Sequence, residues 1–272
     1  MQATLRQTLT FEGVGLHTGA DCRMELRPAG VDEGLYFLSA GTRIPATVEH
    51  VVDTTRATVI GRDGVTISTT EHVLSALLAM GVTNAEIAVD GPEIPVCDGS
   101  AAQFVAAIEA SGLQAQRAER RTFELTEPVI VRSGDKLMAA FPAPAFRVSF
   151  IADFPPPIGT QYFCADVDPV SYREEIAGAR TFGYLHEIQA LLARGLARGG
   201  SLENALVFTP DGPMQPLRWP NEAVRHKVLD LIGDLALLGA WPRCEIVAIK
   251  SGHELHCSLT SALRSRSRVL SA

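Results

Sequence analysis

The chain has 272 residues, 46% hydrophobic and 20% charged, with a formal net charge of −7. That usage excludes wholesale disorder and fibrous repeats and allows a sizeable core, in one large domain or two smaller ones. No apolar run reaches the ~18 residues that a transmembrane helix needs, and no cluster of Lys and Arg offers a nucleic-acid footprint, so neither a membrane span nor a nucleic-acid partner is expected.

Strand-like stretches broken by Gly13, Gly15 and Gly19 open the chain. Val65 to Ser68 reads as a short strand. Ser68-Thr-Thr-Glu71 then has the pattern of a capping box, followed by an apolar helical run from His72 to Met80 that Gly81 stops. Ala85 to Val89 alternates like a strand, and Gly91-Pro-Glu-Ile-Pro95 reads as an irregular turn. Ser100 is placed to cap a second helix, Ala101 to Ser111, ended by Gly112. The polar stretch Ala115 to Arg121 is the best linker candidate, dividing residues 1–116 from 121–272. Strands are expected at Thr122 to Leu125, Val129 to Val131 and Arg147 to Ile151. Phe154-Pro-Pro-Pro157 cannot lie in a central strand. Helices are expected from Tyr184 to Ala197 and from Glu222 to Leu238, then a strand from Glu245 to Lys250, and Arg264-Ser-Arg-Ser-Arg268 reads as a solvated tail.

Five cysteines (Cys22, Cys97, Cys164, Cys244 and Cys257) stand far apart with no CxxC, which argues against a disulfide framework. With no export signal in the N-terminal residues, a reducing cytoplasm is the expected setting. The halves share a pattern: His72-Val-Leu, helix, Gly81, strand in the first, and His226-Lys-Val-Leu, helix, Gly239, strand in the second. His and Gly are separated by 9 residues in one half and 13 in the other, a difference of about one helical turn. A duplicated α+β unit, packed face to face, would bring both histidines to one interface.

His226 and Asp230, four apart on a helix, share a face with Cβ atoms ~5–6 Å apart, a natural arrangement for zinc or for a plain surface ion pair. Asp234 continues that face. Glu71 and His72 point to different sides, so one could ligate a metal while the other works on bound water; equally, Glu71 could serve only the capping box. Lys250-Ser-Gly-His253 puts a histidine after a strand and a flexible glycine. His17 lies among glycines that would let a backbone approach a ligand. His50 and His186 read as structural or surface residues, and His256 as a strand or exposed residue. No GxGxxG, P-loop, GxSxG or HExxH occurs, so these residues by themselves lead no further than a candidate metallohydrolase.

Taken together, Gly13-Val-Gly-Leu-His-Thr-Gly19, Ser68-Thr-Thr-Glu-His72, Pro92-Glu-Ile-Pro-Val-Cys-Asp-Gly-Ser100, Ala179-Arg-Thr-Phe-Gly183, Arg225-His-Lys-Val-Leu-Asp230 and Lys250-Ser-Gly-His253 resemble the zinc-dependent UDP-3-O-acyl-N-acetylglucosamine deacetylases of lipid A biosynthesis. The resemblance covers nearly the whole chain. It implies two related α+β domains, each a sheet with helices, the helices sandwiched between the two sheets. It implies Zn²⁺, with Fe²⁺ as the alternative, on His72, His226 and Asp230. Glu71 would be the general base, His253 the cation or general acid, Asp234 its holder, and Thr181 and Lys227 the supports of the oxyanion. His17, Phe182, Phe154 and Lys136 would contact the UDP-acyl-sugar substrate, with Leu191, Leu196, Gly199 and Ser201 in the segment of the acyl passage. A monomer is expected. The proline-rich loop between Phe208 and Arg225 and the short stretch after His253 depart from the family pattern. They leave open a deacetylase for another N-acetylated sugar, or a metal-free module that binds a nucleotide sugar or lipid.

Overall fold

In this computed structural model, which describes residues 1–266, one strand order occurs twice. The first half contains β1 (Gln2–Leu5), β2 (Leu9–Val14), β3 (Asp21–Pro28), β4 (Leu35–Ser39), β5 (Thr42–Pro45), β6 (Val51–Asp53), β7 (Val59–Arg62), β8 (Val65–Ile67), α1 (Glu71–Ala79), β9 (Ala85–Asp90), α2 (Ala102–Ser111) and β10 (Leu113–Gln116). The second contains β11 (Thr122–Glu124), β12 (Val129–Ser133), β13 (Lys136–Pro142), β14 (Arg147–Asp153), β15 (Thr160–Asp166), a short α3 (Pro169–Ser171) running into a π-helical turn, β16 (Phe182–Tyr184), α4 (Leu185–Ala193), β17 (Leu206–Thr209), β18 (Gly212–Pro213), α5 (Glu222–Ala236), β19 (Trp241–Ile249) and α6 (His253–Arg266).

One sheet runs β2-β3-β9-β4-β5, the other β12-β13-β19-β14-β15. In each, the third strand pairs antiparallel with the second and parallel with the fourth, and the outer pairs are antiparallel hairpins. The registers correspond as well: β3 meets β9 from Arg23↔Asp90 to Pro28↔Ala85, and β13 meets β19 from Leu137↔Ile249 to Pro142↔Cys244. Each half also places a helix before and after its third strand, α1 and α2 around β9 and α5 and α6 around β19.

The halves differ in what is inserted before that first helix. The first carries the small sheet β6-β7-β8; the second carries the π-helical turn, the sheet β16-β17-β18 and α4.

Strands β9 and β19 alternate buried and part-exposed residues, so each sheet turns one face inward. Helices α1 and α5 have no solvated face: all of α1 but Leu78, and all of α5 but Arg225 and Lys227, is buried. They pack against each other between the layers. Gly233 of α5 sits where the α1 backbone passes, and a Cβ there would lie 2.0 Å from the Glu71 carbonyl oxygen. No helix among the described residues is long and apolar enough to cross a membrane.

Several expectations are corrected. There is no capping box at α1: Thr70 is the N-cap without a side-chain bond, and the Glu71 carboxylate accepts from the Thr58 amide instead. Ser100 is not the N-cap of α2; Ala101 is, although the Ser100 hydroxyl still accepts from the Ala102 amide. The expected helix from Tyr184 is shorter, because Tyr184 pairs with Phe208 in a strand and α4 ends at Ala193. The start of the expected linker is strand, with Gln116 paired to Gln2. The five cysteines, whose spacing argued against a disulfide framework, need no correction: all are free thiols. The expected basic tail lies partly in α6, where Arg264 pairs with Glu49 at 2.5 Å, and partly outside the described residues.

Candidate metal centre

A helix buried on all sides should be apolar, yet α5 carries Glu222, His226, Asp230 and Asp234 in its interior. Glu222 is matched by Arg180 at 2.9 Å. The others converge on α1 and α6.

His226 and Asp230 lie one turn apart, with Nε2 and Oδ1 3.4 Å apart. His72, on the first turn of α1, brings its Nε2 to 3.7 Å from the same Oδ1. The two imidazoles meet edge to face, centroids 5.1 Å apart. The Nδ1–H of His226 donates to the Ala179 carbonyl at 3.0 Å, which turns the Nε2 lone pair toward Asp230 and His72. Burial pulls the His226 pKa down to about 3, so this ring is a neutral imidazole. Burial alone would raise the Asp230 carboxyl, but its neighbours His226, Lys227, His72 and His253 outweigh it and hold it well below the usual range.

Asp230 Oδ2 is satisfied by the Lys227 ammonium at 2.7 Å, whereas Oδ1 is buried with no hydrogen-bond donor. A buried, unpaired carboxylate oxygen facing two imidazole nitrogens is costly unless a cation completes it. Two neutral imidazoles and one carboxylate, all within 4.8 Å of one another, fit a divalent metal that keeps an open position. A second group, Asp234, His253 and His256, lies equally close but is a closed hydrogen-bond network. There Asp234 Oδ2 accepts from His253 Nδ1 at 2.9 Å and from His256 Nδ1 at 2.8 Å, and Oδ1 accepts from the Thr58 hydroxyl.

Glu71 and His253 flank the candidate metal residues. His253 Nε2 lies 3.9 Å from Glu71 Oε1 and 3.9 Å from Asp230 Oδ2. Burial raises the Glu71 carboxyl above its ordinary value, with Asp230 and Asp234 adding to the effect. Burial opposes charge on His253, yet Asp234, Glu71 and Asp230 outweigh it and lift the ring to about 9, an imidazolium at neutral pH.

These groups line a cavity of about 780 Å³. His17, Lys136, Phe154, Thr181, Phe182 and Lys227 line it too, whereas Asp234 stands behind His253. Phe154 and Phe182 form an edge-to-face pair with centroids 5.2 Å apart, and Phe182 abuts His226 at 6.1 Å. Leu191 and Ser201 line the cavity with Leu185, Ile188, Leu202, Val207 and Met214; Leu196 and Gly199 do not. Gly199 packs instead against Gly15, whose oxygen a Cβ would meet at 2.2 Å. Lys227 is engaged with Asp230 rather than standing as an unpaired cation.

Across residues 2–265 the sequence matches the model of the UDP-3-O-acyl N-acetylglycosamine deacetylase family. The chain belongs to this family. It is similar to proteins named UDP-3-O-acyl-N-acetylglucosamine deacetylase. The one from Syntrophotalea carbinolica is 45% identical over 94% of this chain and 85% of its own. That from Phenylobacterium zucineum is 46% identical over 97% and 94%, and that from a Nostoc species 44% identical over 96% and 98%.

The structure also shows what the family motifs do in the fold. In the Gly13–Gly19 segment the glycines allow close packing within the chain: a Cβ on Gly15 would lie 2.3 Å from Glu93, and one on Gly19 3.1 Å from Arg198. Glu93 is fully buried and accepts from the amides of His17 and Thr18 and the hydroxyls of Thr18 and Thr69, so it folds the turn that presents His17. In Ala179–Gly183, Ala179 orients His226, Arg180 pairs with Glu222, and the Thr181 amide donates to the Gly99 carbonyl at 2.7 Å.

Three residues have roles that the sequence did not reveal. Glu93 was hidden in an apparently irregular turn, and Thr58 lies outside any motif. His256, expected on a strand or exposed, is fully buried on α6, held between Asp234 and the Ser251 hydroxyl.

Proposed function

We propose that this chain hydrolyses the N-acetyl group of UDP-3-O-acyl-N-acetylglucosamine, releasing acetate and leaving a free 2-amino group, as a step of lipid A biosynthesis. His72, His226 and Asp230 would hold a zinc ion, whose borderline softness suits two imidazoles and a carboxylate; Fe²⁺ fits the same donors. When bound, the cation supplies Lewis acidity that makes water nucleophilic near neutral pH and polarises the acetyl carbonyl.

The protein's own groups divide the remaining work. Glu71 Oε2 is fixed by the Thr58 amide at 3.0 Å, which leaves Oε1 facing the reaction space to take the proton from the attacking water. His253 presents Nε2 on the same side and gives its proton to the departing nitrogen as the C–N bond breaks. Asp234, bonded to His253 Nδ1, favours the charged ring. Thr181 lines the cavity beside these groups and supports the oxyanion. Lys227 keeps Asp230 ionised and adds positive charge near the same place.

The acyl chain would lie along Leu185, Ile188, Leu191, Leu202 and Met214. Of these, Leu185, Leu202 and Met214 expose about half their surface, an apolar wall open at the cavity mouth. Phe154, Phe182, His17 and Lys136 would receive the sugar and its diphosphate.

One observation carries the reading most: Asp230 Oδ1, buried and without a donor, faces two histidine nitrogens from different helices. Purified protein should release acetate from the UDP-acyl-sugar, stop when chelated and recover with added zinc. Metal-free protein that turned over at the same rate would sink the proposal.

A further inference from the structure

Residue 58 stands in the loop before β7, outside every motif of the sequence, with none of its surface exposed. Its carbonyl is pinned to the start of α1, accepting from the Thr70 amide at 3.2 Å and the Thr70 hydroxyl at 3.1 Å. Its amide donates to Glu71 Oε2 at 3.0 Å. Its hydroxyl donates to Asp234 Oδ1 at 2.5 Å and lies 3.3 Å from His253 Nδ1.

A hydroxyl has one proton to donate. Given to Asp234 Oδ1, it leaves Oδ2 to receive the Nδ1–H groups of His253 and His256. That occupancy fixes the carboxylate plane, and with it the His253 ring, whose Nε2 then faces Glu71 Oε1. The same residue's amide holds the other oxygen of Glu71. One threonine therefore touches both partners of the acid–base pair, one through its backbone and the other through its side chain and Asp234. Glu71 belongs to the first half of the molecule and Asp234 and His253 to the second, and Thr58 ties them directly.

We propose that Thr58 is a positioning residue of the deacetylation reaction, its hydroxyl setting the orientation of the Asp234–His253 pair relative to Glu71. This rests on the deacetylase reading above. Removing a partner that orients a group touching the reaction typically costs about 10–100-fold in activity.

The test compares wild type, Thr58→Val and Thr58→Ser, each assayed for kcat and KM by acetate release from UDP-3-O-acyl-N-acetylglucosamine, with bound metal and melting temperature measured alongside. Valine keeps the shape and the amide but removes the hydroxyl; serine keeps the hydroxyl. The expected result for Thr58→Val is a kcat about 10–100-fold lower with KM and metal content unchanged, and for Thr58→Ser a rate near wild type. A wild-type kcat in Thr58→Val overturns the proposal. So does Thr58→Ser falling as far as Thr58→Val, since the methyl group would then be what matters. Should Thr58→Val not fold, Thr58→Ala is read against Thr58→Ser in the same way. A wild-type protein that releases no acetate from this substrate defeats the underlying reading instead.

Discussion

The two halves share a strand order but use their central helices differently. In the first half, α1 is nine residues long and its proposed functional groups, Glu71 and His72, are its first two residues. In the second, α5 is 15 residues long and carries His226, Asp230 and Asp234 at successive turns of its buried length. A helix start can turn adjacent residues to different neighbours, so Glu71 reaches the Thr58 amide while His72 reaches Asp230. A helix middle instead stacks groups in a row, which is what the proposed ligand pair His226 and Asp230, backed by the Asp234 carboxylate, would need. The inserts divide along the same line. The small first insert supplies Thr58, a clamp; the larger second insert supplies Phe182, α4 and the apolar wall.

The sharpest way to break that comparison is to remove the row on α5. Asp230→Ala should lose its metal and with it essentially all activity, read by metal analysis beside acetate release; retention of one metal per chain would show that another group holds the ion. At the start of α1, Glu71→Gln should keep the metal and lose about 10²–10⁴-fold in kcat. If it lost metal too, Glu71 would belong with the ligands and the division between the helices would be wrong.

The close approach of the helices comes next. Gly233→Ala puts a methyl group 2.0 Å from a backbone oxygen of α1 that cannot swing away, and should cost about 3 kcal/mol in chemical denaturation. A variant as stable as wild type would mean that α1 and α5 slide freely.

The smallest effect concerns a tie between the halves. Asp98, in the turn after β9, pairs with Arg218, in the loop before α5, at 2.8 Å. Burial alone would raise the Asp98 carboxyl, but Arg218 and Ser100 outweigh it and hold it below its ordinary value. A carboxyl depressed in the folded state adds stability above its unfolded pKa, and that contribution fades as pH falls toward the folded value. Arg218→Met should therefore be less stable than wild type by under ~1 kcal/mol at neutral pH, the pair being part-exposed, with the gap closing in acid. A gap that stayed constant down to acid pH would assign the loss to packing.

Local spacing was enough to predict α1, α5, β9 and β19, because their apolar periods are long and glycines end both helices. The repeat was legible for the same reason, and the i,i+4 step alone puts His226 and Asp230 on one face. Short strands such as β16 and β18 were not legible, since two or three residues carry no period and pair only because the insert folds back. Nor could spacing show that Glu71 would take the Thr58 amide rather than close a capping box. Competing hydrogen bonds of similar strength are decided by which donor the fold delivers. Thr58, Glu93 and His256 illustrate the limit, since each acts by what it touches across the chain: the packing of α1 on α5, with α6 behind them, brings Asp234 to Thr58 and His256, and the folding of the turn around His17 and Thr18 onto Thr69 gives Glu93 its donors.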